Sequence, residues 1–142
     1  MKSLHYGRQY IDDEDIAAVA AVLRGDWLTQ GPAVDEFEKK FADYVGAAHA
    51  VAFANGTAAI HGAYYAAGVE SGDEVVTSAM TFAATGNAAL YLGGVPRFGD
   101  IDPDTLCLDP LEARKKISSR TKVIAPVSYA GFPVDLAPFM EL

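Results

Sequence analysis

The sequence contains a single cysteine, Cys107, so no disulfide bond can form within the chain. One isolated cysteine is typical of a protein that folds in a reducing compartment. Residues 1–8 lack the apolar core of a signal peptide, and no later run is apolar over membrane-spanning length. We therefore expect a cytoplasmic protein without a membrane segment.

Basic residues are also scarce, with 11 Lys and Arg against 19 Asp and Glu and a formal net charge of −8. Broad binding to nucleic acid or to an anionic membrane needs a basic face, so we expect neither partner. A single phosphorylated ligand is still compatible with this charge, because a helix N-terminus binds phosphate without bulk positive charge. His5, His49 and His61 lack metal-ligand spacing, so we predict no metal site.

Short apolar runs alternate with helical patterns from His49 onward, and several of the helical patterns are closed by glycine. Such alternation predicts parallel strands joined by right-handed crossovers. We therefore expect an α/β fold with a mostly parallel sheet between helices. The predicted strands are residues 49–54, 74–78, 95–98 and 121–127, and the predicted helices are residues 56–67 and 82–92, with two more beginning at Asp109 and Asp135.

Two amphipathic helices are predicted ahead of this region, at residues 13–24 and 32–46. We assign residues 1–46 to a helical segment within a single domain that covers residues 1–142. In the second helix, we expect the apolar side chains to form a buried stripe: Val34, Phe37, Phe41 and Tyr44. The last predicted helix begins only near Asp135, so we expect the chain to be the N-terminal part of a longer protein.

The stretch from Asn55 to Ala59 stands where a helix begins, directly after an apolar run. The backbone amides of Gly56, Thr57 and Ala58, together with the Thr57 hydroxyl, could hold a phosphate there. Glycine at this point lets the backbone approach a ligand closely. The alternative is an ordinary N-cap at Asn55 followed by a tight turn. No G-x-G-x-x-G or Walker pattern occurs, which excludes the usual nucleotide-binding loops.

Phe82 occupies a similar place after the next predicted strand, with Thr81 and Thr85 on either side. An aromatic ring at a helix start could stack on a flat cofactor, or it could simply pack in the core. Ligands of open α/β sheets bind at the carboxyl ends of strands, which is where both candidates lie. A phosphate site and a ring platform on neighbouring units together indicate a cofactor that is aromatic and phosphorylated.

Two other features are weaker candidates. Asp100 and Asp102 are close enough to act as paired carboxylates, but Pro103 makes a turn the better interpretation. The loop that carries Trp27 and Thr29 could cover a substrate or a partner subunit, or its tryptophan could fill a gap between the two helices.

Several segments, in this order and with this compact spacing, resemble the DegT/StrS-type sugar aminotransferases, which are pyridoxal-phosphate enzymes with the aspartate aminotransferase fold. The matching segments are residues 15–23, 27–32, 37–38, 55–59, 72–76 and 81–85, and Gly131. The resemblance covers essentially the whole chain and is more specific than any single motif. It implies the N-terminal part of the large domain of a fold type I enzyme. The opening, with Tyr6 and the loop at residues 28–31, resembles members that aminate C4 of a UDP-4-keto-6-deoxy-N-acetylhexosamine.

The resemblance implies a pyridoxal 5'-phosphate cofactor, whose phosphate-binding segment matches Gly56, Thr57 and Ala58. Phe82 matches the aromatic residue that stacks on the pyridine ring. Thr29 and Tyr6 match positions near the substrate and the dimer interface. The implied reaction moves an amino group from glutamate to a UDP- or dTDP-linked keto sugar, for amino-sugar or cell-surface polysaccharide biosynthesis. The enzyme would be a homodimer with active sites shared between subunits.

The family's Schiff-base lysine, the aspartate that pairs with its pyridine nitrogen and a phosphate-binding serine lie beyond the segment that matches residues 131–142. Five lysines do not match the Schiff-base position and are better interpreted as solvated helix or strand-edge charges: Lys39, Lys40, Lys115, Lys116 and Lys122. We therefore predict that these 142 residues hold no catalytic residue and do not transaminate alone. Some relatives carry histidine in place of that lysine and act as sugar dehydratases, which is the alternative activity. A non-catalytic cofactor-binding relative is a second alternative, and an unrelated α/β phosphate-binding protein is a third.

Overall fold

The computed structural model describes Gly7 and residues 9–142. The chain forms two compact units, one up to Ala52 and one from Phe53 to Leu142. The elements are α1 (Asp13–Arg24), α2 (Pro32–Val45), α3 (Gly56–Ala66), β1 (Glu74–Ser78), α4 (Ala84–Tyr91), β2 (Val95–Gly99), α5 (Pro110–Arg114) and β3 (Thr121–Ile124), followed by 3₁₀ turns at Tyr129–Gly131 and Ala137–Phe139. Over these described residues, every helix is too short or too polar to cross a membrane.

The first unit contains α1 and α2, and both predicted helices are confirmed. Asp12 caps α1, because its carboxylate accepts from the Glu14 and Asp15 amides while the Asp15 carboxylate accepts from the Asp12 amide. Proline in the first turn and the left-handed Gly46 (φ 71°) bound α2.

The buried stripe predicted for α2 is wrong, because all four of its apolar side chains are exposed and only Ala42 of this helix is buried. A unit with two helices offers too little surface to cover an apolar stripe on each of them.

The second unit is built on a parallel sheet with the strand order β2-β1-β3. The central strand β1 is buried over its whole length. Its alternate side chains enter two different cores, since successive residues of a strand point to opposite faces. Val75 packs with residues of α3 and α4, whereas Val76 packs with Leu108 and with residues around α5. The fold is therefore a parallel sheet between two helical layers, and the predicted α/β class is confirmed.

Two of the predicted strands differ in the structure. Residues 49–54 form no strand, because a strand needs a hydrogen-bonded neighbour and no described strand pairs with this segment. The strand predicted at residues 121–127 ends at Ile124. Ala125 still donates its amide to the Val76 carbonyl at 2.8 Å, but Pro126 has no amide with which to continue the ladder.

The last predicted helix is also shorter than expected. Only a single 3₁₀ turn, Ala137–Phe139, forms there, and the Asp135 carboxylate accepts a hydrogen bond from its first amide, that of Ala137, at 3.0 Å.

Candidate functional site

The first turn of α3 is the candidate phosphate site. The Asn55 side-chain carbonyl accepts a hydrogen bond from the Ala58 amide at 2.9 Å, so Asn55 is an N-cap. The amides of Gly56 and Thr57, in contrast, donate to no acceptor in the described part of the chain. Two amides and the Thr57 hydroxyl are thus available to a ligand, which would have to compete with Asn55 for the third amide.

The space in front of Gly56 is open. Apart from its chain neighbours and the backbone of its own helix, a methyl group built on its α-carbon would meet no heavy atom of the described residues within 4 Å. The unpaired amides lie at the positive end of the α3 dipole, where a negative charge is stabilised by about 0.3–1 kcal/mol at an exposed site. The position is thus accessible, polar and suited to an anion.

Phe82 lies in the loop between β1 and α4, and 78% of its surface is exposed. Core packing, the alternative role considered for this ring, is therefore not what the structure shows. The Thr81 and Thr85 hydroxyls bond each other at 2.8 Å across the loop, and the Thr85 amide donates to the Phe82 carbonyl at 3.1 Å. Because this closed loop takes up residues 81–83, α4 begins at Ala84 rather than at Phe82.

The two candidate positions belong to elements that pack together. The Tyr64 hydroxyl of α3 donates to the Thr85 carbonyl of α4 at 3.2 Å. The rings of His61 and Tyr91 meet edge to face, with centroids 5.6 Å apart. The chain leaves α3 through residues 67–73, enters β1 at the amino edge of the sheet and reaches the Phe82 loop at its carboxyl edge.

Thr29 lies in the exposed loop between α1 and α2, in the first unit. Two left-handed residues, Gln30 (φ 56°) and Gly31 (φ 90°), shape this loop. Trp27 packs directly on Gly31, where an added β-carbon would lie 2.8 Å from the tryptophan β-carbon, and its ring remains mostly exposed. Tyr6, the other predicted substrate or interface residue, lies outside the described residues.

The two aspartates considered as a carboxylate pair form a turn, as the sequence indicated. One Asp102 carboxylate oxygen accepts from the amides of Asp104 and Thr105 and from the Thr105 hydroxyl. The Thr105 amide bond is the main reason why the pKa of Asp102 is below its ordinary value. Among the described residues, no group of three or more His, Cys, Asp or Glu side chains is placed to hold a metal ion.

Three of the lysines form ion pairs with carboxylates on their own helix. Lys39 pairs with Asp43 at 2.7 Å, and the exposed Lys40 and Lys115 make similar pairs within α2 and around α5. These pairs agree with the expectation of solvated helix charges.

A charged cluster at the amino end of β1 was missed by the sequence reasoning. Glu74 is only 1% exposed. Its carboxylate accepts from the Ser118 hydroxyl at 2.6 Å and from the Arg120 guanidinium at 2.9 Å, and lies 3.9 Å from the Arg97 side chain. The Ser118 bond, followed by the Arg120 bond, lowers the Glu74 pKa. The available signal was an acid placed directly before the two valines of a predicted strand. The cluster links β1 to β2 through Arg97 and to the turn before β3 through Ser118 and Arg120, at the end of β1 that is opposite to the Phe82 loop.

The sequence model of the DegT/DnrJ/EryC1/StrS aminotransferase family matches residues 9–142, so the chain belongs to this family. The spore coat polysaccharide biosynthesis protein SpsC of Bacillus subtilis is 43% identical over 133 residues, which are 94% of this chain and 34% of SpsC. The resemblance predicted from the motifs is thereby confirmed.

Solved structures agree with this assignment. The sugar aminotransferase Spr1654 of Streptococcus pneumoniae, in its PMP form, has a TM-score of 0.87 and 32% identity over 93% of this chain and 33% of its own. PseC of Helicobacter pylori, an aminotransferase of pseudoaminic acid biosynthesis, has a TM-score of 0.88 and 33% identity over 99% of this chain and 38% of its own. The chain therefore spans about a third of the length of these relatives. Spr1654 has been solved in both PLP and PMP forms, so the predicted cofactor is confirmed for the family.

Proposed function

We propose that this protein is a pyridoxal-phosphate-dependent aminotransferase that moves an amino group from glutamate to a UDP- or dTDP-linked keto sugar. Membership of the family supports the reaction class. The relatives SpsC and PseC, named for polysaccharide and pseudoaminic acid biosynthesis, support a sugar as the acceptor. Within the chain, the observation that carries the proposal is the open first turn of α3, where Gly56 and Thr57 keep unpaired amides.

Residues of the second unit would bind the cofactor both at its phosphate and at its pyridine ring. The Gly56 and Thr57 amides and the Thr57 hydroxyl would bind the phosphate. The Ala58 amide would bind it as well if it gave up its hydrogen bond to the Asn55 side chain. Phe82 would cover one face of the pyridine ring, since its side chain is 78% exposed and its loop is closed by hydrogen bonds.

When bound, the cofactor supplies the electron sink that makes the transfer of the amino group feasible. The described residues would bind and orient it, and stacking on Phe82 would shield one face of its ring from water. We assign no proton transfer to these residues, because no lysine among residues 9–142 matches the family's Schiff-base position. We therefore propose that residues 1–142 alone do not transaminate.

The proposal also includes a homodimer in which Thr29 and Tyr6 lie near the substrate and the partner subunit. Its support is the resemblance of the Thr29 loop to the corresponding family segment, together with the exposure of that loop here.

The test uses protein expressed from the complete gene and incubated with pyridoxal phosphate. We expect a visible absorbance band from lysine-bound cofactor, which glutamate should bleach as the amine form accumulates. Cofactor binding without a band of this kind would refute the aminotransferase proposal and favour one of its alternatives, a sugar dehydratase or a non-catalytic cofactor-binding protein. No cofactor binding at all would refute the site on α3 and Phe82.

A further inference from the structure

We propose that Tyr64 is a positioning residue, which uses its hydroxyl to fix the Phe82 loop to α3, the helix that carries the candidate phosphate site. This inference rests on the proposed function, because it assigns Tyr64 a role towards the same cofactor. It concerns how the distance between the Phe82 loop and the first turn of α3 is fixed. It requires no contact between Tyr64 and the cofactor.

The geometry begins with the Tyr64 side chain. It is 5% exposed and belongs to the core between α3, α4 and β1. Its hydroxyl donates to the Thr85 carbonyl at 3.2 Å, in the first turn of α4. Burial raises the pKa of this phenol, so the hydroxyl stays protonated and remains a donor through neutral and mildly alkaline pH.

Thr85 links this bond to the loop. Its own side chain is buried, with its hydroxyl 2.8 Å from the Thr81 hydroxyl. Its amide donates to the Phe82 carbonyl at 3.1 Å. Three groups of Thr85 are thus engaged at once: the carbonyl by Tyr64, the hydroxyl by Thr81 and the amide by Phe82. A movement of Thr85 would therefore move the backbone that carries the Phe82 ring.

The exposed ring explains why the backbone has to be fixed. With 78% of its surface exposed, Phe82 has few packing contacts that could hold its position. A ligand that touches both the ring and the first turn of α3 binds best when the distance between the two is set before binding, because ordering them afterwards costs affinity. The Tyr64 hydroxyl donates the hydrogen bond that joins α3 to Thr85, and Thr85 in turn holds the Phe82 loop.

The competing explanation is that Tyr64 only fills the core. The aromatic ring would perform that role without the hydroxyl, so Tyr64→Phe separates the two explanations while keeping the packing. Tyr65→Phe is the matched control, because it makes the same chemical change on the adjacent, 73% exposed residue of the same helix.

The experiment uses protein expressed from the complete gene and makes two measurements on each variant. Hydrogen exchange at the Thr85 amide, without cofactor, reports how firmly the loop is held. Titration with pyridoxamine 5'-phosphate, which binds without a covalent bond, reports affinity. One neutral hydrogen bond corresponds to an effect of about five-fold, so Tyr64→Phe should speed the exchange and raise the Kd by about that factor. Tyr65→Phe should change neither.

A second pair of variants tests the hydrogen bond between the Thr81 and Thr85 hydroxyls. Thr81→Val removes the partner of the Thr85 hydroxyl at nearly constant volume, and Thr81→Ser retains it. We expect faster exchange and weaker binding for Thr81→Val, with recovery of both in Thr81→Ser. A purely steric role for Thr81 would not give this recovery.

The outcomes separate the inference from the function on which it rests. Normal binding by the parent protein together with an unchanged Kd in Tyr64→Phe would overturn the positioning role and leave the proposed function standing. Unchanged exchange at Thr85 in Tyr64→Phe would overturn it as well, whatever the cofactor does. Failure of the parent protein to bind pyridoxamine phosphate would refute the proposed site, and with it the role of Tyr64 towards the cofactor.

Discussion

Replacement of Phe82 by alanine should weaken cofactor binding and leave folding almost unchanged. The ring makes little contact with the core, so its removal should alter the free energy of unfolding by no more than about 0.5 kcal/mol. Stacking of an aromatic side chain on a flat ring contributes about 1–2 kcal/mol. The Kd for pyridoxamine phosphate should therefore rise about five- to thirty-fold. Phe82→Leu keeps the apolar area but not the aromatic face, so its Kd should lie between those of the parent protein and Phe82→Ala.

The assay is calorimetric titration of each variant with pyridoxamine phosphate, with urea unfolding measured in parallel. Tyr65→Ala is the control, because it removes an aromatic ring of similar exposure from α3. An unchanged Kd in Phe82→Ala would refute the assignment of this ring to the cofactor. A loss of stability as large as the loss of binding energy would show instead that the ring supports the fold.

Three further predictions address the phosphate site, the packing of α3 and the charged cluster. Thr57→Ala should weaken binding of pyridoxamine phosphate about ten-fold or more, because a hydrogen bond to a charged group is lost, and should leave the affinity for unphosphorylated pyridoxamine unchanged in titrations. Gly62→Ala would place a β-carbon 2.5 Å from the Phe53 ring, so thermal unfolding should show a destabilisation of about 1–3 kcal/mol. The Glu74 pKa is lowered in the folded state, so the stability from its charge is present above the ordinary value of 4.5 and is lost as the pH falls through the folded-state pKa. Glu74→Gln should therefore flatten the acid limb of the urea-unfolding profile.

Each of these predictions has a clear opposite. Equal losses for the phosphorylated and unphosphorylated ligands would remove Thr57 from the phosphate site, and Thr57→Ser should retain binding. If Phe53→Leu did not relieve Gly62→Ala, the clash would not be the cause of the destabilisation. An acid limb as steep in Glu74→Gln as in the parent protein would assign the pH dependence to other carboxylates.

The sequence predicted the features that are set by local chemistry. The ends of α1 and α2 agree with the predicted ranges 13–24 and 32–46 to within one residue, because Asp12, Pro32 and Gly46 satisfy or terminate the backbone hydrogen bonds of these helices. The N-cap at Asn55 was visible for the same reason, and so was the turn at Asp102. The parallel sheet followed from the alternation of short strands with helices.

Features that depend on distant partners could not be predicted in this way. The run at residues 49–54 has the composition of a strand, but a strand also needs a neighbour with free pairing groups. The partners of Glu74 at Ser118 and Arg120 lie more than 40 positions away in the sequence. The bond from Tyr64 to Thr85 also crosses between separate helices, and the exposure of the Phe82 ring depends on how its loop is closed.

The buried Glu74 also bears on how reliably the sheet assembles. A shift of β1 by one residue would turn every side chain to the opposite face, because alternate residues point to opposite sides. The Glu74 carboxylate would then enter the apolar layer of α3 and α4, without Ser118 and Arg120. An unpaired charge in that layer is costly, whereas Val75 and Val76 could exchange places at little cost. The Glu74 carboxylate would thus disfavour a shifted pairing of β1 with its neighbours during folding. It would thereby also fix the position of the Phe82 loop at the opposite end of β1.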